Sequence, residues 1–297
     1  MLKFKYLAAV ISVLLLCSCG QGTGMTESRE PDRSMQPNEE RKFEALDRGT
    51  SGPLALQHTT TPPLEGGTEK SVRPKSPANN RTLVRLFPNI MALNGPSSPK
   101  RVAITFDDGP DRRFTPQVLD ILKKHDVKAT FFLMGSRVKG LPEITERIHQ
   151  EGHVIGNHSY WHPKVYAESI ERMVWEVEET DKQIQETVGY LPKLFRAPYG
   201  GLQRQHVEKL GEMGKSVIGW TVDSLDWKQI PADEVQHNVL KDVHPGAIIL
   251  MHCAGDWTQD LSGMTTALDE LLPKLKEQGY ELVTVPELLG TSYEQQE

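Results

Sequence analysis

From residue 100 to the C-terminus, short apolar runs alternate with segments of helical period. The runs are RVAITF (101–106), ATFFLMG (129–135), HVIGN (153–157), KLFRA (193–197), SVIGWTV (216–222), AIILMH (247–252) and ELVTV (281–285). Between them, Ile170, Met173, Val174, Val177, Ile184 and Val188 fall on one helical stripe over 170–188. Leu268, Leu271, Leu272 and Leu275 do the same over 265–278, and Gly279-Tyr280 ends that helix. Seven short strands alternating with helices predict a parallel α/β sheet. Closed on itself, such a sheet is a barrel whose site lies at the C-terminal ends of its strands. No internal repeat is present.

Residues 20–98 have a different texture. They are rich in Pro, Gly, Ser, Thr and charge and almost free of aromatics, as in TTTPPLEGGTEK and SVRPKSPANN. With no apolar period, the stretch reads as a disordered tether with a reach of roughly 50 Å. Only RTLVRLFPNIMAL (81–93) is apolar enough to pack on the domain edge. The extreme N-terminus has Lys3 and Lys5, then an apolar run from Tyr6 to Leu16 that ends in Leu16-Cys17-Ser18-Cys19. That is the shape of a signal peptide. It resembles a bacterial lipoprotein signal with Cys19 as the lipidated residue. The expected organisation is a signal peptide over 1–18, a lipid-anchored linker over 19–98, a catalytic domain over 99–291 and a tail over 292–297. The protein is expected outside the cytoplasm, anchored by lipid to the outer face of the bacterial cytoplasmic membrane, and as a monomer.

Composition narrows the partners. Lys and Arg total 34 against 40 Asp and Glu, a net charge of −6. A nucleic-acid partner is not expected, because phosphate binding needs a basic surface. Of three cysteines, cleavage before Cys19 would leave Cys253 as the one free thiol, so no disulfide framework is expected. Hydrophobic residues make up 37% of the chain, low for its length and consistent with an unfolded portion.

The polar residues that follow the strands carry the chemistry. The first strand runs into Asp107-Asp108, two like charges side by side with nothing to gain from a core. The third leads to His158-Ser-Tyr-Trp-His162, the fourth to Arg196-Ala-Pro-Tyr-Gly, the fifth to Asp223-Ser-Leu-Asp226-Trp227, and the sixth ends in His252. All fall on one face of the expected barrel. A second His-x-x-x-His pair, His149 and His153, sits at a helix end and the turn after it, and reads as solvent-facing. Two imidazoles and one carboxylate leave coordination positions open, the pattern of a catalytic rather than a structural zinc. A neighbouring carboxylate can take a proton from the attacking water, and a further histidine can protonate a leaving group. This pattern predicts metal-assisted hydrolysis.

The motifs TFDDG (105–109), HSYWH (158–162), RAPYG (196–200), DSLDW (223–227) and LMH (250–252) occur in order. Together they resemble the polysaccharide deacetylase family, carbohydrate esterase family 4, also called the NodB-homology domain. The resemblance covers about 100–290. It implies a distorted, incomplete (β/α) barrel of about seven parallel strands. It also implies removal of N-acetyl groups from GlcNAc-containing polymers such as peptidoglycan or chitin-like oligomers. By position, Asp108, His158 and His162 bind the metal, zinc by preference, with cobalt or another divalent ion as substitute. Asp107 is the general base and Arg196 holds it. The backbone N–H of Tyr199 serves an oxyanion hole. Asp226 tunes His252, the general acid, and Trp227 and Leu250 line the acetyl pocket. Ala197 replaces a proline found in many members. Cys253, following His252 on a strand, should point away from the site. An O-acetyl xylan esterase and a non-catalytic wall-binding relative are the alternatives.

Overall fold

The computed structural model describes residues 61–72 and 80–295. The expected signal peptide and Cys19 lie outside the described residues. Nine strands form one sheet: β1 (Met91–Ala92), β2 (Arg101–Asp107), β3 (Thr130–Leu133), β4 (Val154–Asn157), β5 (Leu194–Phe195), β6 (Ser216–Ile218), β7 (Val222–Asp223), β8 (Ile248–His252) and β9 (Glu281–Val283). Their order is β1-β6-β5-β4-β3-β2-β8-β7, and every pairing is parallel. Ala103 of β2 pairs with Ile248 of β8 and with Val283 of β9, so β9 lies along the edge of β2 that β3 takes higher up.

Two strands more than the seven expected arise for separate reasons. Residues 91–92 add β1, which pairs with β6, while residues 80–86 are helical, so the folded body reaches back into the stretch expected to be linker. The run SVIGWTV is also two strands. Gly219 donates its N–H to Ala92 on one side of the sheet, at 2.8 Å, and Thr221 donates to Ile248 on the other, at 3.1 Å. Trp220 alone carries the chain across. From Ile218 to Val222 the backbone extends at most about 14 Å, so the two ends of the sheet curl toward each other. The barrel is thus joined covalently at this seam, without a ladder between β6 and β7.

The helices are α1 (Glu69–Val72), α2 (Asn80–Leu86), α3 (Thr115–Lys124), α4 (Gly135–Gly140), α5 (Pro142–Gln150), α6 (Ile170–Val188), α7 (Arg204–Glu212), α8 (Ala232–Asp242), α9 (Ser262–Glu277) and α10 (Val285–Leu289). Helix α6 has the bounds its apolar stripe predicts. The Ser169 hydroxyl accepts from the Arg172 N–H at its start, and Gly189 ends it at φ 85°. Helix α9 begins a turn earlier than predicted and stops before Gly279, at φ 81°.

Successive strand residues point to opposite faces. In β2, Val102, Ile104 and Phe106 pack among the helices, as do Ile249, Met251 and Cys253 beside them. Cys253 is therefore core, as expected. Ala103 and Ile248 face the interior with Phe132, Leu194, Ile218 and Val283. Above them in register come Thr105 with Leu250, then Asp107 with His252. The interior column turns from apolar at its base to ionisable at its mouth.

Candidate active site

The alternation of β2 aims Asp107 into the mouth. Asp108, one residue later, would face the helices in a regular strand. It takes φ 71° instead, and both carboxylates flank one imidazole: His158 Nε2 is 3.8 Å from Asp107 Oδ2 and 3.3 Å from Asp108 Oδ1. Five of the seven non-glycine residues with positive φ among the described residues lie in the motif segments: Asp108, Ser159, His162, Tyr199 and Leu225. Left-handed backbone is unfavourable for such residues, and its concentration here marks a functional site.

Arg196, fully buried, holds Asp107. Its Nη1 donates to Asp107 Oδ1 and to Thr105 Oγ1, both at 2.7 Å. Its other nitrogens donate to the carbonyls of Ile218 and Gly219, at 3.2 Å each. Ile218 and Gly219 are where the sheet prepares to cross its seam, so the same local geometry frees those carbonyls for the guanidinium. The Phe132 ring lies 4.1 Å beneath its central carbon.

The three expected ligands converge. One donor atom from each of Asp108, His158 and His162 lies within 4.8 Å of the others, and all three side chains are buried. His158 Nδ1 faces the Arg196 carbonyl at 2.8 Å. A carbonyl only accepts, so Nδ1 carries the proton and Nε2 presents a lone pair to the site. His162 Nδ1 faces the Tyr199 hydroxyl at 3.1 Å and its Nε2 also points inward, 3.1 Å from Asp108 Oδ1. That pair is not aligned as a hydrogen bond, and both atoms are buried without a hydrogen-bond partner. Tetrahedral ligands at about 2.1 Å from an ion stand about 3.4 Å apart. The two nitrogen-to-oxygen separations, 3.1 and 3.3 Å, match such an edge. The donor set thus fits a divalent ion. Electrostatics agree. Burial alone would raise the Asp108 pKa, but the two imidazoles hold it well below the carboxylate range. Burial works against charge on His158, and Asp107 and Asp108 still raise its proton affinity. Burial pushes His162 down despite Asp108.

Beyond β7, Asp226 follows Leu225, which has φ 59°, and opens a 3-10 turn over Asp226–Lys228. Its Oδ1 lies 2.8 Å from His252 Nδ1 and accepts the Trp227 N–H at 2.8 Å, while its Oδ2 accepts the His252 N–H at 2.7 Å. Burial disfavours charge on His252, but Asp226 more than offsets this, with Asp108 and Glu69 adding, and pushes the imidazole up to about 10. Trp227 is 9% exposed beside this pair, and Leu250 sits one interior row below His252.

The second histidine pair departs from expectation. His149 is exposed, but His153 is buried, because Gly152 turns the chain back at φ 82° and β4 begins at once. Its Nδ1 accepts the Ala129 N–H at 3.2 Å, and burial lowers its pKa to about 4. It is a core histidine.

Three contributors to the site carry no motif. Buried Glu176, in the middle of α6, accepts the N–H groups of Tyr160 and Trp161 at 2.7 and 2.8 Å and so shapes the HSYWH loop. Burial raises it to about 7. Buried Arg137 donates to the carbonyls of Asp108 at 2.9 Å and Gly255 at 2.7 Å. The third is the segment 62–69. Glu65 and Gly66 donate to the carbonyls of Trp161 and His162, and Gly67 accepts from the Tyr199 hydroxyl. A charged residue between Met173 and Val177 of the apolar stripe is the signal the sequence offers for Glu176, and Asp181 offers the same one.

Comparison with known proteins agrees with this geometry. The polysaccharide deacetylase family profile matches residues 94–218. A peptidoglycan-N-acetylglucosamine deacetylase of Bacillus cereus is 41% identical over 203 residues, covering 68% of this chain and 73% of that protein. A solved peptidoglycan N-acetylglucosamine deacetylase, bound to a naphthalenyl N-oxidanyl-benzamide, superposes with a TM-score of 0.70 at 39% identity, over 73% of this chain and 100% of that one. A family pseudoenzyme from Bacillus anthracis superposes at 0.62 with 35% identity, over 67% of this chain and 68% of that one. With the sheet, the strand-end motifs and these relatives in agreement, the chain belongs to the polysaccharide deacetylase family.

Proposed function

We propose that this protein is a metal-dependent N-deacetylase that removes acetyl groups from GlcNAc residues of peptidoglycan. The observation that carries this reading is the set of buried, inward-facing donor atoms of Asp108, His158 and His162, with Asp107 on one side and the Asp226–His252 pair on the other. A divalent ion held there supplies Lewis acidity toward a water and a carbonyl. The protein's own groups do the rest. Asp107, fixed by Arg196, accepts the proton of the attacking water. The backbone N–H of Tyr199 is aimed by the left-handed turn that Gly200 continues, and it donates to the developing oxyanion. His252, kept protonated by Asp226, delivers a proton to the amine as it leaves; an amide nitrogen needs that proton to depart. Trp227 and Leu250 give the acetyl methyl an apolar seat.

The residues that a dead barrel would lack, Asp107 and His252, are both here and both oriented, which favours an enzyme over a wall-binding relative. The test is acetate release by the zinc-loaded protein from GlcNAc oligomers and peptidoglycan, with N-acetylmuramic acid substrates and acetylated xylan in parallel. Release from GlcNAc substrates that chelator abolishes supports the reading. Release from xylan alone, or none at all with zinc bound, overturns it. We further propose that Cys19 is the lipidated residue, as Leu16-Cys17-Ser18-Cys19 suggests. Cys19→Ser should then move the protein from the membrane to the medium.

A further inference from the structure

We propose that the segment 62–67 is a positioning element of the metal site, acting through the Tyr199 hydroxyl on the ring of His162. The inference rests on the metal reading above. Its basis is a count of protons. The Tyr199 hydroxyl has one hydrogen and two polar neighbours: the Gly67 carbonyl at 2.6 Å and His162 Nδ1 at 3.1 Å. The carbonyl can only accept, so the hydroxyl hydrogen goes to Gly67. The phenol oxygen is then left as an acceptor, and His162 Nδ1 must be the donor. That choice removes the proton from Nε2, the atom facing Asp108. Without the Gly67 carbonyl, the hydroxyl is free to donate to Nδ1. The ring proton would then move to Nε2 and block the lone pair a metal needs.

The two histidine ligands are thus set in different ways. His158 is fixed by the Arg196 carbonyl, from within the barrel. His162 is fixed by a residue 95 positions earlier in the chain, as the numbers of Gly67 and His162 give. The segment is held for this task at several points. The Glu65 and Gly66 N–H groups donate to the carbonyls of Trp161 and His162 at 2.9 and 3.0 Å. Arg137 Nε and Nη2 donate to the Pro62 carbonyl at 3.1 and 2.9 Å, while Nη1 of the same guanidinium holds the Asp108 carbonyl. Arg172 pairs with Glu65 at 2.9 Å while also holding Glu176, which shapes the histidine loop. Leu64 is buried. At Gly66 the approach is too close for a side chain: a Cβ there would collide with the Tyr199 hydroxyl. Bonds of this kind to a ligating histidine's far nitrogen typically change metal affinity 10–100-fold.

The experiment measures zinc dissociation constants by chelator competition for the full-length protein, Gly66→Val, Tyr199→Phe and the double variant. Gly66→Val pushes the segment off the hydroxyl, and Tyr199→Phe deletes the hydroxyl while keeping the ring. Each single variant should bind zinc 10–100-fold more weakly, with the thermal midpoint of the metal-free protein close to wild type. Because both act through one bond, the double variant should be no weaker than the weaker single. Unchanged zinc affinity in Tyr199→Phe overturns the inference, as do losses that multiply in the double variant. A lowered metal-free midpoint with unchanged affinity would mean a structural contact only, and also overturns it. Wild-type protein without measurable zinc affinity would sink the metal assignment itself, a separate result.

Discussion

Two buried carboxylate–cation pairs share the mouth of the barrel, Asp107–Arg196 and Asp226–His252, and they differ in one respect. The guanidinium of Arg196 does not release its proton in proteins, while an imidazole does. In the first pair the cation is permanent, so any proton transfer through that pair must involve the carboxylate. In the second the carboxylate is locked by two backbone N–H groups, and the imidazole exchanges. Under the proposed mechanism, similar distances, 2.7 and 2.8 Å, thus serve a base in one pair and an acid in the other. The identity of the cation assigns the role.

The sharpest way to break this comparison is to remove the exchanging member of each pair. Asp107→Asn should retain zinc and lose about 10²–10⁴-fold in turnover, equally on N-acetyl substrates and on an activated aryl acetate, because both need the water deprotonated. Near-wild-type rates in the zinc-loaded variant would assign water activation elsewhere. His252→Ala should show a loss of about the same size on N-acetyl substrates and a much smaller one on the aryl acetate, whose leaving group departs without a proton. Equal losses on both would remove the acid assignment.

A smaller and more diagnostic effect is expected from Asp226→Asn. His252 stands near 10 against an ordinary value of 6.5. A raised pKa of this kind stabilises the fold fully below about pH 6.5, and that stability is lost as pH rises toward 10. The variant should bring the alkaline limb of kcat/KM down toward neutrality. Its thermal midpoint should depend less on pH across that window. An unmoved alkaline limb would show that Asp226 does not set the acid. Least of all, Thr105→Val removes one acceptor from Arg196 Nη1 while Asp107 remains bound to it. The expected cost is about 1–3 kcal/mol of stability, read from denaturant midpoints, with a modest fall in turnover.

Much of this pair geometry was legible in the sequence. Each motif is contiguous and ends a strand, and the period of two in β2 and β8 puts Asp107 and His252 in one interior row. What stayed hidden has physical causes. Both halves of SVIGWTV are apolar, so nothing local announces that Trp220 crosses from β6, beside the β1 edge, to β7 at the opposite edge. In the sequence His153 adjoins a helix end, which points to solvent, while the turn at Gly152 carries it inward. Glu176 shares the buried face of α6 with Thr180, Asp181 and Gln183, so its polarity does not single it out. The segment 62–67 has no apolar period because backbone groups, not side-chain burial, hold most of it. Hydrogen bonds to carbonyls leave no mark in a hydrophobicity pattern.

The interior column has an evolutionary consequence. Its rows are separable: Ala103, Ile248 and their apolar neighbours serve folding, while Asp107 and His252 sit uppermost, where the proposed chemistry places them. Substitutions confined to the top row can silence the reaction while the rows beneath go on folding the chain. A lineage can therefore keep the scaffold after giving up catalysis. The Bacillus anthracis relative, a pseudoenzyme with the same fold, is the kind of descendant such a division permits.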